Sequence, residues 1–246
     1  MTTHPAVQAA PEGHSAATFR AGFHKDLDAL VDQVRDMGAL ASVALQCALD
    51  AFATEDVALC DMVIEGDDVL DERFAALQRE VLRLVALQAP VASDARLLIA
   101  ALRIGLHLER IGDLAVNVAE LTKLAAGPPR DPAVLRDLRV MGQAVLDMVD
   151  AAMRAFRERD ADACPRLRVA DDRVDALNRA VLARVLVIQT PKAARRWGLY
   201  MDELARQLER AGDHAVDIGE QVWFMVTGEV RELTTASRVR SLRNER

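Results

Sequence analysis

The chain has 246 residues, of which 51% are hydrophobic and 4% are aromatic, and it carries a formal net charge of −7. Its apolar residues are mostly Ala, Val and Leu, a mixture that favours helices over strands. An acidic chain lacks the basic excess of a general nucleic-acid binder, but its charge leaves metal binding open. The three cysteines lack CxxC spacing and support neither a disulfide framework nor a zinc knuckle.

The two ends of the chain carry no helical periodicity. Residues 1–20 have neither the basic nor the apolar region of a secretory signal, so we predict a disordered lead-in. Residues 233–246 are basic and lack apolar spacing, which predicts a flexible tail. The most apolar stretch, residues 97–112, is too short and too charged to span a bilayer. These features predict a soluble, cytoplasmic protein.

Between its ends the chain repeats itself. Met37-Gly38 returns 104 residues later as Met141-Gly142, and LERIGDLAVNVAE at 108–120 returns 100 residues later as LERAGDHAVDIGE at 208–220. Self-similarity at a long and nearly constant offset predicts a duplicated structural unit. Here each unit is close to half the chain.

Turn signals divide each copy into three segments with helical periodicity. In the first copy these segments cover about 23–52, 55–87 and 91–126. The Gly- and Pro-rich residues 127–132 mark the border between the copies. We therefore predict an all-α fold of two tandem, pseudo-symmetric three-helix bundles, at residues 21–127 and 131–232.

The repeated phrase places a Glu and an Asp four residues apart, on one helix face. Like charges at this spacing repel by about 0.2–0.5 kcal/mol, so a positive partner is expected. The preceding helix of each copy adds a second acidic pair with the same spacing, and an all-oxygen set of this kind suits hard cations such as magnesium, manganese and iron. The candidate metal ligands are Asp67, Asp71, Glu109, Asp113, Asp171, Asp175, Glu209 and Asp213.

Other readings of these acids stay open. The carboxylates could form a solvated face of a helical scaffold, paired with nearby arginines, although their recurrence in both copies favours a cation. A ferritin-like di-metal oxidoreductase or metal-storage protein would use Glu-x-x-His motifs, but Gly112 and Gly212 occupy the His positions. His107 and His214 do not share a position in the repeat and add little to the prediction. No motif indicates catalysis.

The phrases ALRIGLHLERIGDLAVNVAE and LARQLERAGDHAVDIGEQVWFMVTGEVRE resemble the two signature helices of PhoU-type phosphate-transport regulators. The resemblance runs from about residue 23 to 232 and includes the turn QAPVASDARLL. It implies paired three-helix bundles that bind multinuclear metal clusters, of iron or zinc, through the eight acids named above. Asn117 and Asp217 are the next candidate ligands. The residues themselves do not choose among iron, zinc, manganese and magnesium.

The resemblance also implies a function without catalysis. Such a protein represses phosphate-starvation signalling when phosphate is plentiful, as a homodimeric cytoplasmic adaptor between the ATPase subunit of a phosphate ABC transporter and a sensor histidine kinase. Some residues depart from the family pattern: Ala95 replaces a usual Leu, and Leu114 stands where a His often follows the Asp. These departures predict that the two acidic sites are not equivalent.

Overall fold

The computed structural model of the chain describes residues 16–88, 90–127, 130–188 and 192–230. Every regular element in these ranges is an α-helix, which confirms the predicted all-α class. The helices are α1 (Ala16–Thr54), α2 (Val57–Glu65), α3 (Asp67–Gln88), α4 (Ala92–Leu124), α5 (Pro132–Glu158), α6 (Ala163–Leu186) and α7 (Lys192–Thr227).

Helix α1 begins earlier than predicted. Residues 16–20 were assigned to the disordered lead-in, but they belong to α1. This run contains no Gly or Pro, so nothing in it opposes helix formation. The remaining residues of the predicted lead-in, 1–15, and the predicted tail at 233–246 lie outside the described residues.

The second helical segment differs between the two copies. In the first copy it is interrupted at Gly66, which separates α2 from α3. The counterpart of this glycine in the second copy is Ala170, which lies inside the continuous helix α6. Glycine in a helix interior costs about 1 kcal/mol relative to alanine. The same segment therefore breaks only in the copy that carries the glycine.

Local signals set several of the helix ends. The Asp56 carboxylate caps α2 by accepting a hydrogen bond from the backbone N–H of Leu59 at 3.1 Å. At the border between the copies, Asp131 caps α5 in the same way. Glu55 and Arg159 are equivalent in the repeat and both adopt the left-handed backbone conformation, with φ of 59° and 54°. The repeat thus preserves the turn after α1 and α5.

Helices α1 and α5 contact each other across the two copies through a reciprocal pair of glycines. Gly38 packs against Met153, and Gly142 packs against Leu49, so closely that an added Cβ would overlap the neighbouring side chain. The two glycines are equivalent in the repeat, and so are Leu49 and Met153. Each copy supplies one glycine, whose missing side chain leaves a socket, and one side chain that fills the socket of the other copy. This arrangement is that of two units related by a pseudo-twofold axis.

The most extensive contact between the copies joins α4 and α7, the helices that carry the repeated phrase. Arg103, early in α4, donates to Gln221, late in α7, at 3.4 Å. Asn117, late in α4, donates to Gln207, earlier in α7, at 3.3 Å. The two helices are therefore antiparallel, and the phrases lie side by side at the centre of the molecule.

One segment among the described residues, Gly22–Thr54 in α1, is long and apolar enough to cross a bilayer by length and composition. Its side chains Leu30, Val34, Met37 and Leu45 are fully or almost fully buried, and α1 packs on α3, α4 and α5. A core helix of a bundle meets the same two criteria.

Candidate metal centres

In the first copy, the predicted carboxylates converge where the start of α3 meets α4. Asp71, Glu109 and Asp113 each offer a carboxylate oxygen, and these oxygens all lie within 4.8 Å of one another. Asp67 belongs to the same face, because the charges of Asp113 and Asp71 act on its carboxyl group. Burial raises the pKa of Asp67 most, and these two charges raise it further. The structure therefore brings the four predicted residues of this copy together, and we call this group the first acidic face.

Arg110 supplies positive charge to the first acidic face. Its Nη1 donates to Asp113 at 3.1 Å, and its Nε lies 3.4 Å from Oε2 of Glu109. That Glu109 oxygen is buried and accepts no hydrogen bond from the described residues. Burial raises the pKa of Glu109, as does the charge of Asp113, whereas Arg110 lowers it. A buried carboxylate oxygen without a donor is costly, so a further cation would stabilise this face.

In the second copy, α6 and α7 assemble the second acidic face from Asp171, Asp175, Glu209 and Asp213. Asp171 is fully buried. Burial raises its pKa to about 7, and the charges of Asp213 and Asp175 act in the same direction. The pKa of Asp213 is raised by partial desolvation and then by the charges of Glu209 and Asp175. These charges place Asp213 near the other three acids, but among the described residues no three ligand atoms of this face lie within 4.8 Å of one another, unlike those of the first face.

Arg168 supplies positive charge to the second acidic face. Its Nη1 donates to Oδ2 of Asp171 at 2.7 Å, and its Nη2 lies 3.6 Å from Asp172. The other Asp171 oxygen, Oδ1, accepts no hydrogen bond from the described residues. An added Cβ at Gly212 would lie 3.2 Å from that oxygen. The glycine of the repeated phrase thus lets the α7 backbone approach the buried carboxylate.

Both faces fit a hard cation in their chemistry. Each combines four carboxylates from two helices with one buried oxygen that lacks a donor. Carboxylate oxygens are the ligands of magnesium, calcium and manganese, and they also bind iron and zinc. Metal binding at these eight residues remains a prediction.

A cluster of two histidines and an aspartate lies between the two copies. His107 on α4 and His214 and Asp217 on α7 offer ligand atoms that lie within 4.8 Å of one another. Asp217, predicted as a further ligand of an acidic face, reaches these histidines, and its charge also raises the pKa of Asp213. Asn117, the other further candidate, donates instead to Gln207.

The two histidines were missed because the sequence analysis compared only equivalent positions of the repeat. His107 and His214 are not equivalent to each other, so the repeat hides their contact. The available signal was the duplication itself. Here the pseudo-twofold axis runs across the helices, so α4 and α7 are antiparallel, which brings the early part of one phrase to the late part of the other.

Comparison with known proteins places the chain in a family. A family model described as PhoU domain matches residues 34–122 and 138–222, once in each copy. The phosphate-specific transport system accessory protein PhoU homolog of Xylella fastidiosa is 32% identical over 208 residues, which cover 84% of this chain and 86% of that protein. PhoU homolog 1 of Thermotoga maritima is 31% identical over 209 residues, covering 84% and 90%.

Solved structures show the same fold. The crystal structure of PhoU from Pseudomonas aeruginosa matches with a TM-score of 0.79 at 31% identity, covering 84% of this chain and 100% of that chain. The phosphate transport system regulatory protein PhoU from Streptococcus pneumoniae also matches with a TM-score of 0.79, at 24% identity. The resemblance seen in the repeated phrases is confirmed, and this chain belongs to the PhoU family.

Proposed function

We propose that this protein is an accessory protein of a phosphate-specific transport system, which restrains phosphate uptake and represses phosphate-starvation signalling when phosphate is plentiful. The observation that carries this proposal is the match of both copies to the PhoU domain. Relatives named as accessory proteins of such a system align over 84% of the chain and most of their own length. The match therefore extends well beyond the repeated phrases.

In this proposal the protein works by contact rather than by catalysis. It acts in the cytoplasm, as a homodimer, between the ATPase subunit of a phosphate ABC transporter and a sensor histidine kinase. The likeness to proteins named as transport accessory proteins supports this role, and the acids of the two faces belong to no Glu-x-x-His motif in the sequence.

We propose further that the two acidic faces hold metal ions, of iron, zinc, manganese or magnesium. A bound cation would neutralise the repulsion among the four carboxylates, add a second positive partner for Glu109 Oε2 beside Arg110, and supply a partner for Asp171 Oδ1. Because the ligands of each face come from two helices, the metal would fix α3 against α4 and α6 against α7. The chain itself contributes the orientation of the carboxylates and the two arginines that balance their charge.

The test of this function uses a bacterium that lacks its own PhoU protein and carries a phosphate-starvation reporter. In phosphate-rich medium the reporter is active in this strain, and expression of the chain should repress it again. A variant with E109A, D113A, E209A and D213A, matched for protein level by immunoblotting, is the comparison for the metal sites. A wild-type chain that is present at normal level and leaves the reporter active would contradict the proposed function. Repression by the variant would instead separate regulation from metal binding.

A further inference from the structure

The cluster of His107, His214 and Asp217 has the dimensions of a metal site. The Nδ1 atoms of the two histidines are 3.2 Å apart. The Oδ2 atom of Asp217 lies 3.4 Å from each of them. With metal–ligand bonds of about 2.0–2.1 Å, two ligands of a tetrahedral zinc ion are about 3.3–3.4 Å apart. The three atoms therefore form a triangle of the size of one face of a tetrahedral zinc site.

Hydrogen bonds alone do not satisfy this triangle. A neutral imidazole carries one proton, on one of its two nitrogens, so the two rings place at most two protons among three short contacts. If both Nδ1 atoms donate to Asp217, two N–H groups face each other at 3.2 Å. If one Nδ1 accepts from the other, it has no proton for the carboxylate. A cation bound to all three atoms removes this conflict.

The cluster is open to solvent on one side. The side chain of Asp217 is 41% exposed, compared with 18% for His107. The carboxylate side of the cluster therefore gives an ion a path from solvent.

We propose that His107, His214 and Asp217 bind one zinc ion in tetrahedral geometry, with the fourth position open to solvent. The ion links α4 of the first copy to α7 of the second, whereas each acidic face joins helices of one copy. Two imidazole nitrogens with one carboxylate suit zinc, and this donor set differs from the all-oxygen faces. The proposal stands on geometry and holds or fails independently of the role in phosphate signalling.

The chain contains a natural control for this site at the other end of the α4–α7 contact. The positions equivalent to His107, His214 and Asp217 hold Gln207, Leu114 and Asn117. Asn117 donates to Gln207 at 3.3 Å, so these positions also meet across the contact. They carry neither an imidazole nor a charge. The variant H107Q/H214L/D217N gives both ends the same residues, which the antiparallel contact already accommodates.

Cobalt(II) is a suitable probe, because tetrahedral cobalt(II) absorbs visible light much more strongly than the octahedral ion. The metal-free full-length protein is titrated with cobalt(II), then with zinc(II), and the histidine ¹⁵N signals are followed by NMR. We expect one tetrahedral cobalt ion per chain, displaced by zinc, with shifts of two imidazole signals. The variant H107Q/H214L/D217N should lose this absorption and keep its helical circular dichroism.

Two results would overturn the proposal. One is the absence of tetrahedral absorption in the wild-type protein, and the other is absorption that persists in the triple variant. If the triple variant loses its helical signal, D217N alone replaces it, since this change removes the charge and keeps the side-chain shape. If D217N then binds a tetrahedral cobalt ion as tightly as the wild-type protein does, the proposed site is wrong. A double variant, E109A/D113A, is the control for the oxygen ligands and should leave the tetrahedral signal unchanged.

Discussion

The two acidic faces carry the same four carboxylates but receive their positive charge from different helices. In the first face it comes from Arg110 on α4, whose side chain is 53% exposed. In the second it comes from Arg168 on α6, whose side chain is only 15% exposed and reaches the buried Asp171. The first copy has Ile64 at the position equivalent to Arg168. Equal ligand sets therefore do not make equal sites, because the charge balance around them diverged after duplication.

The largest expected difference between the two faces is the loss of bound metal when two ligands are removed from one of them. The variant E109A/D113A should lose the metal of the first face and keep that of the second, and E209A/D213A should do the reverse. The reason is that each face takes its ligands from the helices of one copy. Elemental analysis of purified protein without a His tag gives the number of ions per chain.

The quadruple variant E109A/D113A/E209A/D213A is the control for this experiment. It should retain at most the ion of the histidine–aspartate cluster. Loss of all metal in either double variant would show that the faces bind cooperatively as one unit. A wild-type protein with substoichiometric metal would contradict metal binding at the acidic faces.

Replacing the two arginines tests the difference in their burial. The variant R168I, which introduces the residue of the first copy, should lower the free energy of unfolding by about 1–3 kcal/mol at pH 8, because the buried carboxyl group of Asp171 loses its hydrogen-bond donor and binds a proton instead. The variant R110Q should lower it by about 0–1 kcal/mol, since an exposed ion pair contributes little. Urea unfolding in the presence of EDTA measures both. Equal losses would mean that burial does not distinguish the faces.

The pH dependence of the metal-free protein should also differ between the faces. Asp171 has a pKa of about 7 in the folded chain and an ordinary value of 3.8, so the folded state binds its proton more tightly. Its favourable contribution is complete below pH 3.8 and is lost as the pH rises through about 7. The free energy of unfolding should fall over this range by up to about 4 kcal/mol.

Amide variants assign this pH dependence to one face. D171N should flatten the fall in stability between pH 4 and about 7, because the group that binds the proton is gone. D67N should leave most of the fall in place, since Asp67 is only half-buried. Urea titrations at several pH values in EDTA give the slope, and a slope that survives in D171N would assign the proton to another carboxyl group.

The smallest expected effect concerns the glycines of the repeated phrase. In G112A the new Cβ would lie 2.6 Å from a methyl group of Leu70. Overpacking of this kind costs about 1–3 kcal/mol, and the better helix propensity of alanine offsets about 1 kcal/mol of it. In G212A the Cβ would lie 3.2 Å from the Asp171 carboxylate, a tight contact that a shift of a few tenths of an ångström relieves, so its cost and the gain in helix propensity should nearly cancel. Thermal unfolding compares the two variants, and a larger loss in G212A would contradict this packing difference.

The sequence was most informative where a feature occurs in both copies. Composition and periodicity predicted the helices, and the repeated acids predicted which carboxylates converge in the first copy, because positions four apart on one helix share a face. The interruption at Gly66 was not predicted, since a single glycine does not reveal whether a helix bends or breaks. The burial of Asp171 was also out of reach, because it depends on how closely α6 and α7 approach.

The histidine–aspartate cluster shows a different limit. Its residues are far apart in sequence, and the contact requires the direction in which α4 and α7 pack. Local periodicity gives the face on which a side chain lies, but it does not give the partner helix. Once the pseudo-twofold relation is known, the contact between His107 and His214 follows from their positions along the two phrases.

The reciprocal sockets of Gly38 and Gly142 give the chain the character of a dimer whose two subunits are joined by a peptide bond. In a true dimer of one repeat, a substitution would appear at both ends of the shared interface at once. A single chain is free of this constraint. It can place His107 and His214 at one end of the α4–α7 contact and leave Leu114 and Gln207 at the other. Fusion thus allows one interface to carry two different chemistries.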